Sequence, residues 1–156
     1  MEYRKEKGLP AIALSKSLTI VAQMHVRDLE INEPHKEASN CNMHSWSDVG
    51  EKWSGCCYTS DHKAAKCMWD KPRELTKYKG DGFEIAHGYL SGDSKATAAG
   101  GLAGWKGSPG HNAVMINLGI WKKVKWQAVG IGIYEKYAVI WFGKEKDKAG
   151  IPGKCK

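Results

Sequence analysis

The stretch from 127 to 143, "QAVGIGIYEKYAVIWFG", constrains the fold more than any other part of this chain. Two β-rich runs flank the polar pair Glu135 and Lys136, the pattern of an antiparallel hairpin. In the first run, Gly130 and Gly132 alternate with Val129, Ile131 and Ile133. Side chains on a strand point alternately to its two faces, so one face of this strand is nearly bare. A bare face weakens a strand unless another backbone or a ring comes down onto it. The hairpin therefore predicts a bulky neighbour, such as a helix, seated on the glycines.

The rest of the chain supplies candidate helices. From Ser15 to Ile31, Leu18, Val21, Ala22, His25 and Leu29 recur at three- and four-residue spacing and form one apolar face. "MWDKPRELTKY" reads as a helix that starts with Asp70 as its cap and Pro72 near its first position. "SKATAAGGLAGW" reads as a helix of small residues, with Gly100, Gly101 and Gly104 demanding close packing. "SPGHNAVMIN" reads as a further helix, capped by Ser108 and opened by Pro109. Between them, the polar segment from 31 to 55 is mostly loop, and "GFEIAHGYL" fits a strand, an extended segment or a short helix. Helices interspersed with a sheet point to an α+β fold with a layered αβα architecture. Residues 1–13 read as a flexible basic arm, 14–143 as the folded domain and 144–156 as a basic tail.

At 156 residues the chain suits one domain and can bury a real core. No run of about 18 uninterrupted apolar residues exists, so no membrane span is expected. "MEYRKEKGLP" lacks the apolar centre of a signal peptide, so an extracellular home implies a leader that this sequence does not contain. The net charge of +7 is uneven. Residues 1–120 hold 15 Lys/Arg against 14 Asp/Glu (+1), and residues 121–156 hold 9 against 3 (+6). That basic end could meet phosphate, anionic lipid or an acidic surface, or simply be solvated. "KEKDKAGIPGKCK" carries no aromatic ring to stack on a base, which argues against nucleic acid.

The five cysteines are Cys41, Cys56, Cys57, Cys67 and Cys155, with no Cys-x-x-Cys pair among them. A bridge from Cys56 or Cys57 to Cys67 would staple the intervening loop in an oxidising compartment. A Cys/His zinc site that includes His62 is the competing arrangement, although the vicinal pair fits no common zinc spacing.

Two other residues suggest a polar site. Glu84 lies among Phe83, Ile85 and Ala86, and burying a carboxylate costs several kcal/mol unless it is paired. A histidine or a metal would supply that pairing. His111 falls in the first turn of its helix, where the dipole disfavours an imidazolium and keeps a lone pair free. His25, on an apolar helix face, reads as a satisfied core histidine. No Gly-x-Ser-x-Gly elbow or phosphate loop is present, which leaves serine hydrolase and nucleotidase readings without support.

The order of "VAQMHVRDL", "MHSWSD", "GFEIAHGY", "GWKGSPGHNAVMIN" and "AVGIGIYEKYAVIWFG" resembles the CAP superfamily of cysteine-rich secretory, venom-antigen and pathogenesis-related proteins, over about residues 14–143. The resemblance implies a three-layer αβα sandwich with a central antiparallel sheet. It also implies a cleft with two histidines, at His44 and His111, with Glu84 beside them. In several relatives such a pair binds a divalent metal such as zinc. Trp46, Trp53, Trp69, Trp105, Ser108 and Asn112 are further candidates to line or support the cleft. Relatives are mostly extracellular, and their roles include sterol or fatty-acid binding, host interaction and, in isolated cases, proteolysis. This chain departs from the pattern at Ile85, where asparagine is usual, and at Asn112, where bacterial relatives often carry arginine. The second acid of the family's cleft falls to Glu37, to Glu74 or to no residue.

The resulting expectation is a secreted or surface-exposed binding module for a small hydrophobic ligand, such as a lipid or sterol, or for a host or surface protein. Peripheral or lipid-anchored membrane association is compatible with it. The alternative is a metal-dependent hydrolase using His44, Glu84 and His111. A third reading is an electrostatic adhesin acting through the basic C-terminal region.

Overall fold

The computed structural model describes residues 1–89, 92 and 94–153. Within them lie five α-helices: α1 (Glu2–Glu6), α2 (Lys16–Ile31), α3 (Ala65–Leu75), α4 (Ala98–Gly107) and α5 (Pro109–Met115). The strands are β1 (Gly82–Gly88), β2 (Ala128–Tyr134) and β3 (Tyr137–Gly143). They form one antiparallel sheet in the order β1-β3-β2, in which β3 pairs Tyr137 with both Gly88 and Tyr134 and Gly143 with both Gly82 and Ala128. The expected hairpin is present, and "GFEIAHG" resolves into an edge strand.

Register sorts the sheet residues into two layers. One face carries Glu84, Ala86, Gly130, Gly132, Val139 and Trp141, and α2 packs on it with Leu18, Val21, Ala22 and Val26 fully buried. The other face carries Phe83, Ile85, Val129, Ala138 and Phe142 and packs against Trp105 of α4 and Val114 and Met115 of α5. Helices on both faces of an antiparallel sheet make the three-layer α+β sandwich. The bare face of β2 is where α2 descends. A Cβ on Gly130 would collide with the Leu18 carbonyl, and one on Gly132 with that of Ala22.

Two local expectations need correction. Helix α3 starts at Ala65, not at Asp70, and Pro72 sits inside it. Asp70 instead pairs with Lys66 and Arg73. The proline ring packs over Gly82, where no Cβ intervenes. Residues 1–13 do not hang free either. Helix α1 docks through Arg4, whose buried guanidinium donates to the carbonyls of Pro10 (3.0 Å) and Met115 (2.6 Å) and to Asn117 Oδ1 (2.7 Å). Ile12 is buried in the core. Part of the basic tail is tied down too: Asp147 accepts hydrogen bonds from Ser15 Oγ (2.7 Å) and from the Ser17 amide (2.8 Å) at the start of α2.

The long loop between α2 and α3 is stitched covalently by Cys41–Cys57 and Cys56–Cys67. The second bridge is one of the two expected alternatives, and Cys57 turns to Cys41 instead of Cys67. With those four cysteines paired, the Cys/His62 zinc arrangement is ruled out; His62 Nδ1 lies 3.0 Å from the Tyr58 hydroxyl. Cys155 lies outside the described residues.

Candidate functional site

Glu84 is the third residue of β1 and projects into the α2 layer opposite Trp141. Its side chain is fully buried and both of its oxygens are occupied. Oε1 lies 2.5 Å from His25 Nδ1, and Oε2 lies 2.7 Å from His44 Nδ1. His25 comes from the apolar face of α2. Its Nε2 donates to the Ser45 carbonyl at 2.9 Å, and its ring stacks on Trp46 with centroids 4.2 Å apart. Both ring nitrogens of His25 therefore face oxygen acceptors. With Glu84 ionised, His25 must carry both protons, and the two residues form a buried ion pair.

The energetics agree with that assignment. Burial, the largest influence on His25, pushes its pKa down. The Glu84 charge and hydrogen bond, the Ser45 carbonyl and the nearby Asp28 outweigh it, so the pKa ends above the ordinary 6.5. For Glu84, burial pushes the pKa up, and the two histidines bring it below the ordinary 4.5. The raised histidine contributes stability that is complete below pH 6.5 and is lost as pH rises through its folded pKa. The depressed carboxylate contributes stability that is complete above pH 4.5 and is lost as pH falls through its folded pKa. Urea unfolding measured across pH is expected to show this pair's contribution at its largest between those two values.

His44 is delivered by the disulfide-stitched loop. Asn42 Oδ1 accepts from the His44 amide, Ser45 Oγ accepts from the Tyr58 amide, and buried Asp28 accepts from both the amide and the hydroxyl of Ser47. The neighbouring Trp46 exchanges backbone hydrogen bonds with Cys56. Local sequence has no regular period here, and these polar ties replace it. His111 comes from the first turn of α5. Burial, and then the nearby His44, hold its pKa below 6.5, so at neutral pH it is an uncharged imidazole.

His44, Glu84, Ser108 and His111 border one cavity of about 500 Å³ between α3, the outer edge of β1 and α5. Its walls include Tyr58, Met68, Trp69, Ile85, Val114 and Trp121. The site thus gathers His44, Trp69, Glu84, Ser108 and His111 but not the other candidates. Trp46 is buried beneath His25 and supports the floor instead of lining the cleft. Trp105 is buried in the opposite layer. Asn112 accepts a hydrogen bond from the Tyr3 hydroxyl of α1 (2.8 Å), away from the cavity. Ser108 precedes α5, but its side chain makes no capping bond. Glu74 is committed to Lys71 and Ser54, and Glu37 does not line the cavity, so neither supplies a second acid there. Sequence reasoning missed Trp121 as a wall and His25 as the partner of Glu84. The signal for His25 was its place on an apolar helix face, which requires a buried partner.

This donor set does not complete a metal cage. Zinc sites built by protein use three or four side-chain ligands. Here the two oxygens of Glu84 are already taken by imidazole nitrogens, which leaves His44 and His111. Among the described residues no group of three or more His, Cys, Asp or Glu is placed to hold a metal ion. Each Glu84 oxygen also faces an imidazole nitrogen, and the side chain is fully buried.

A sandwich of this kind, with histidines at a cleft beside the sheet edge, defines a CAP-type domain. The profile of the cysteine-rich secretory protein family matches residues 2–139, and the chain belongs to that family. The match includes α1. Among solved structures, the chain is similar to an extracellular protein containing an SCP domain from Bacillus anthracis str. Ames, with a TM-score of 0.56 and 19% identity. That likeness covers 92% of this chain and 37% of the other, so this chain spans well under half of that protein's length. No curated protein matches.

Proposed function

We propose that this chain is an extracellular binding module whose cleft takes a small amphipathic molecule, the apolar body against Trp69, Trp121 and Val114 and the polar end against His44 and His111. The observation that supports this reading is the contrast between the cavity walls, which are mostly apolar, and a polar end whose acid is buried and paired with two histidines. With its Nδ1 directed to Glu84, His44 leaves Nε2 for a ligand, and uncharged His111 can either donate or accept. Such groups orient a hydroxyl or carboxyl head without activating water. The two disulfides suit an oxidising compartment, which supports export.

Gly110 provides the test. It borders the cavity, and a Cβ built there meets nothing within 4 Å. Gly110→Phe is expected to fill the cleft without disturbing the fold. Titration with a fluorescent sterol and a fluorescent long-chain fatty acid, read by quenching of Trp69 and Trp121, should show saturable binding. The variant should lose at least about tenfold in affinity, the value of excluding one well-placed apolar group or more, while its melting temperature is retained. Absence of saturable binding, or binding indifferent to Gly110→Phe, would overturn the reading.

A further inference from the structure

At one end of the molecule, the turn between α3 and β1 meets the segment that follows β3. Tyr78 locks them together: its hydroxyl donates to the Glu145 carbonyl at 2.6 Å and accepts from the Glu145 amide at 3.1 Å. Around this lock, Arg73, Lys77, Lys79, Lys144, Lys146 and Lys148 border one concavity of about 490 Å³. Among the described residues its acids are Asp81 and Glu145, so the lining carries six positive charges against two negative ones, a net +4. Arg73 is paired with Asp81. Among the described residues, the five lysines make no ion pair. Asp147, the remaining acid of the segment, is turned to Ser15 and Ser17. Clustering like charges in this way is unfavourable in the free protein and becomes favourable against a dense negative surface.

The patch does not stand alone. Lys144 lies over the Phe83 ring, 4.5 Å from its centroid, and Phe83 meets Trp121 edge-on at 5.5 Å. Trp121 ends a turn of 3-10 helix, Gly119–Trp121, whose tip is apolar and bare: Ile120 is 87% exposed and Leu118 is 51% exposed. Exposed Lys122, Lys123 and Lys125 follow directly. This tip is braced. Asn117 Nδ2 donates to the carbonyls of Trp121 (3.1 Å) and Val124 (2.9 Å), while its Oδ1 is held by buried Arg4. A fixed turn that presents Leu118 and Ile120 to water loses free energy in solution, and nothing in the core requires those side chains to be there.

We propose that this lysine-rich rim and the Leu118–Ile120 tip together form a docking surface for an anionic lipid bilayer. The lysines would face the headgroup phosphates, and the two aliphatic side chains would enter the interfacial layer. A soluble polyanion accounts for the lysines but leaves the apolar tip without a role, whereas a bilayer uses both. Ile120 and Trp121 also line the cleft, so docking would bring that wall of the cavity to the lipid surface. The inference does not depend on the cleft's occupant.

The test is co-sedimentation of the whole protein with vesicles of phosphatidylcholine, alone or mixed with phosphatidylglycerol, with tryptophan fluorescence as a second readout. The expected result is binding to the mixed vesicles only, weakening with added salt, with a blue shift of the emission. Leu118→Ser/Ile120→Ser should lower affinity by roughly tenfold or more at unchanged charge. Lys146→Gln/Lys148→Gln should lower it by at least about tenfold, since each basic residue near an anionic surface contributes a comparable increment. Leu118→Ser alone separates this inference from the cleft reading, because Leu118 does not line the cavity. The proposal is overturned by equal binding to neutral vesicles or by no binding to anionic ones. It is also overturned by binding that ignores the Leu118/Ile120 change and is displaced by a sulfated polysaccharide, or by displacement with inorganic phosphate or glycerol phosphate, which would reduce the patch to a soluble-anion site.

Discussion

Gly130→Ala is expected to destabilise the protein by at least about 3 kcal/mol, at or beyond the upper end of ordinary overpacking. For a chain of this size, that corresponds to a fall in melting temperature of roughly 10 °C. The reason is the identity of the obstructing atoms. A Cβ on Gly130 meets the Leu18 carbonyl group and the Thr19 amide nitrogen, which belong to the backbone of α2 and cannot rotate away. The strand cannot retreat, because β3 holds it in register from Ala128 to Tyr134. Relief requires α2 to lift off the sheet, which would loosen Leu18, Val21 and Ala22 together. Gly107→Ala serves as the control, since a Cβ at that position finds open space. Urea unfolding of the two variants side by side decides the matter. Equal stabilities would mean that close approach of α2 to β2 does not organise the fold.

That contact is also the part of the architecture most legible in the amino-acid order. Alternating glycines on one strand and a three- and four-residue apolar stripe on one helix are complementary surfaces, and each pattern is local. Helix α3 was harder to read because its start carries no signal. Ala64 precedes it without a side-chain cap, and the Asp70–Pro72 pair within it imitates a helix beginning. The packing of Pro72 on Gly82 involves a strand ten residues away and cannot be seen locally. Residues 1–13 misled for a different reason. A short basic segment looks solvated, yet Arg4 reaches Met115 and Asn117 more than a hundred positions downstream.

The site divides along the same line. Glu84 stood out because a carboxylate between Phe83 and Ile85 needs a partner, and His111 because a titratable ring opened an apolar helix. Which histidine would satisfy Glu84 depended on α2 and β1 crossing at His25, fifty-nine positions away in sequence. Composition and spacing carry no information about that crossing. The walls supplied by Trp69 and Trp121 depend likewise on where a helix and a turn come to rest.

Glu84→Ala is expected to destabilise the fold by about 3–5 kcal/mol, the usual result of removing one partner from a buried pair. Without the carboxylate, His25 cannot remain an imidazolium at no exposure to water, and both His25 and His44 lose an acceptor. Glu84→Gln should behave quite differently. The Gln oxygen can accept from His44 Nδ1, and its amide can donate to His25 Nδ1 once that nitrogen is unprotonated. His25 Nε2 continues to donate to the Ser45 carbonyl. Every polar atom of the network then has a partner and no net charge is buried. Replacing the ion pair by this neutral set is expected to cost about 1 kcal/mol or less, because the lost attraction is matched by relieved desolvation. The stability lost by the parent protein as pH rises above 6.5 should disappear in Glu84→Gln, since the histidine would already be neutral in the folded state. Unfolding free energies of the parent protein, Glu84→Ala and Glu84→Gln, measured at acidic and mildly alkaline pH, test both statements. Equal losses for the two variants, or an unchanged pH slope in Glu84→Gln, would show that His25 and Glu84 are not held as a charged pair.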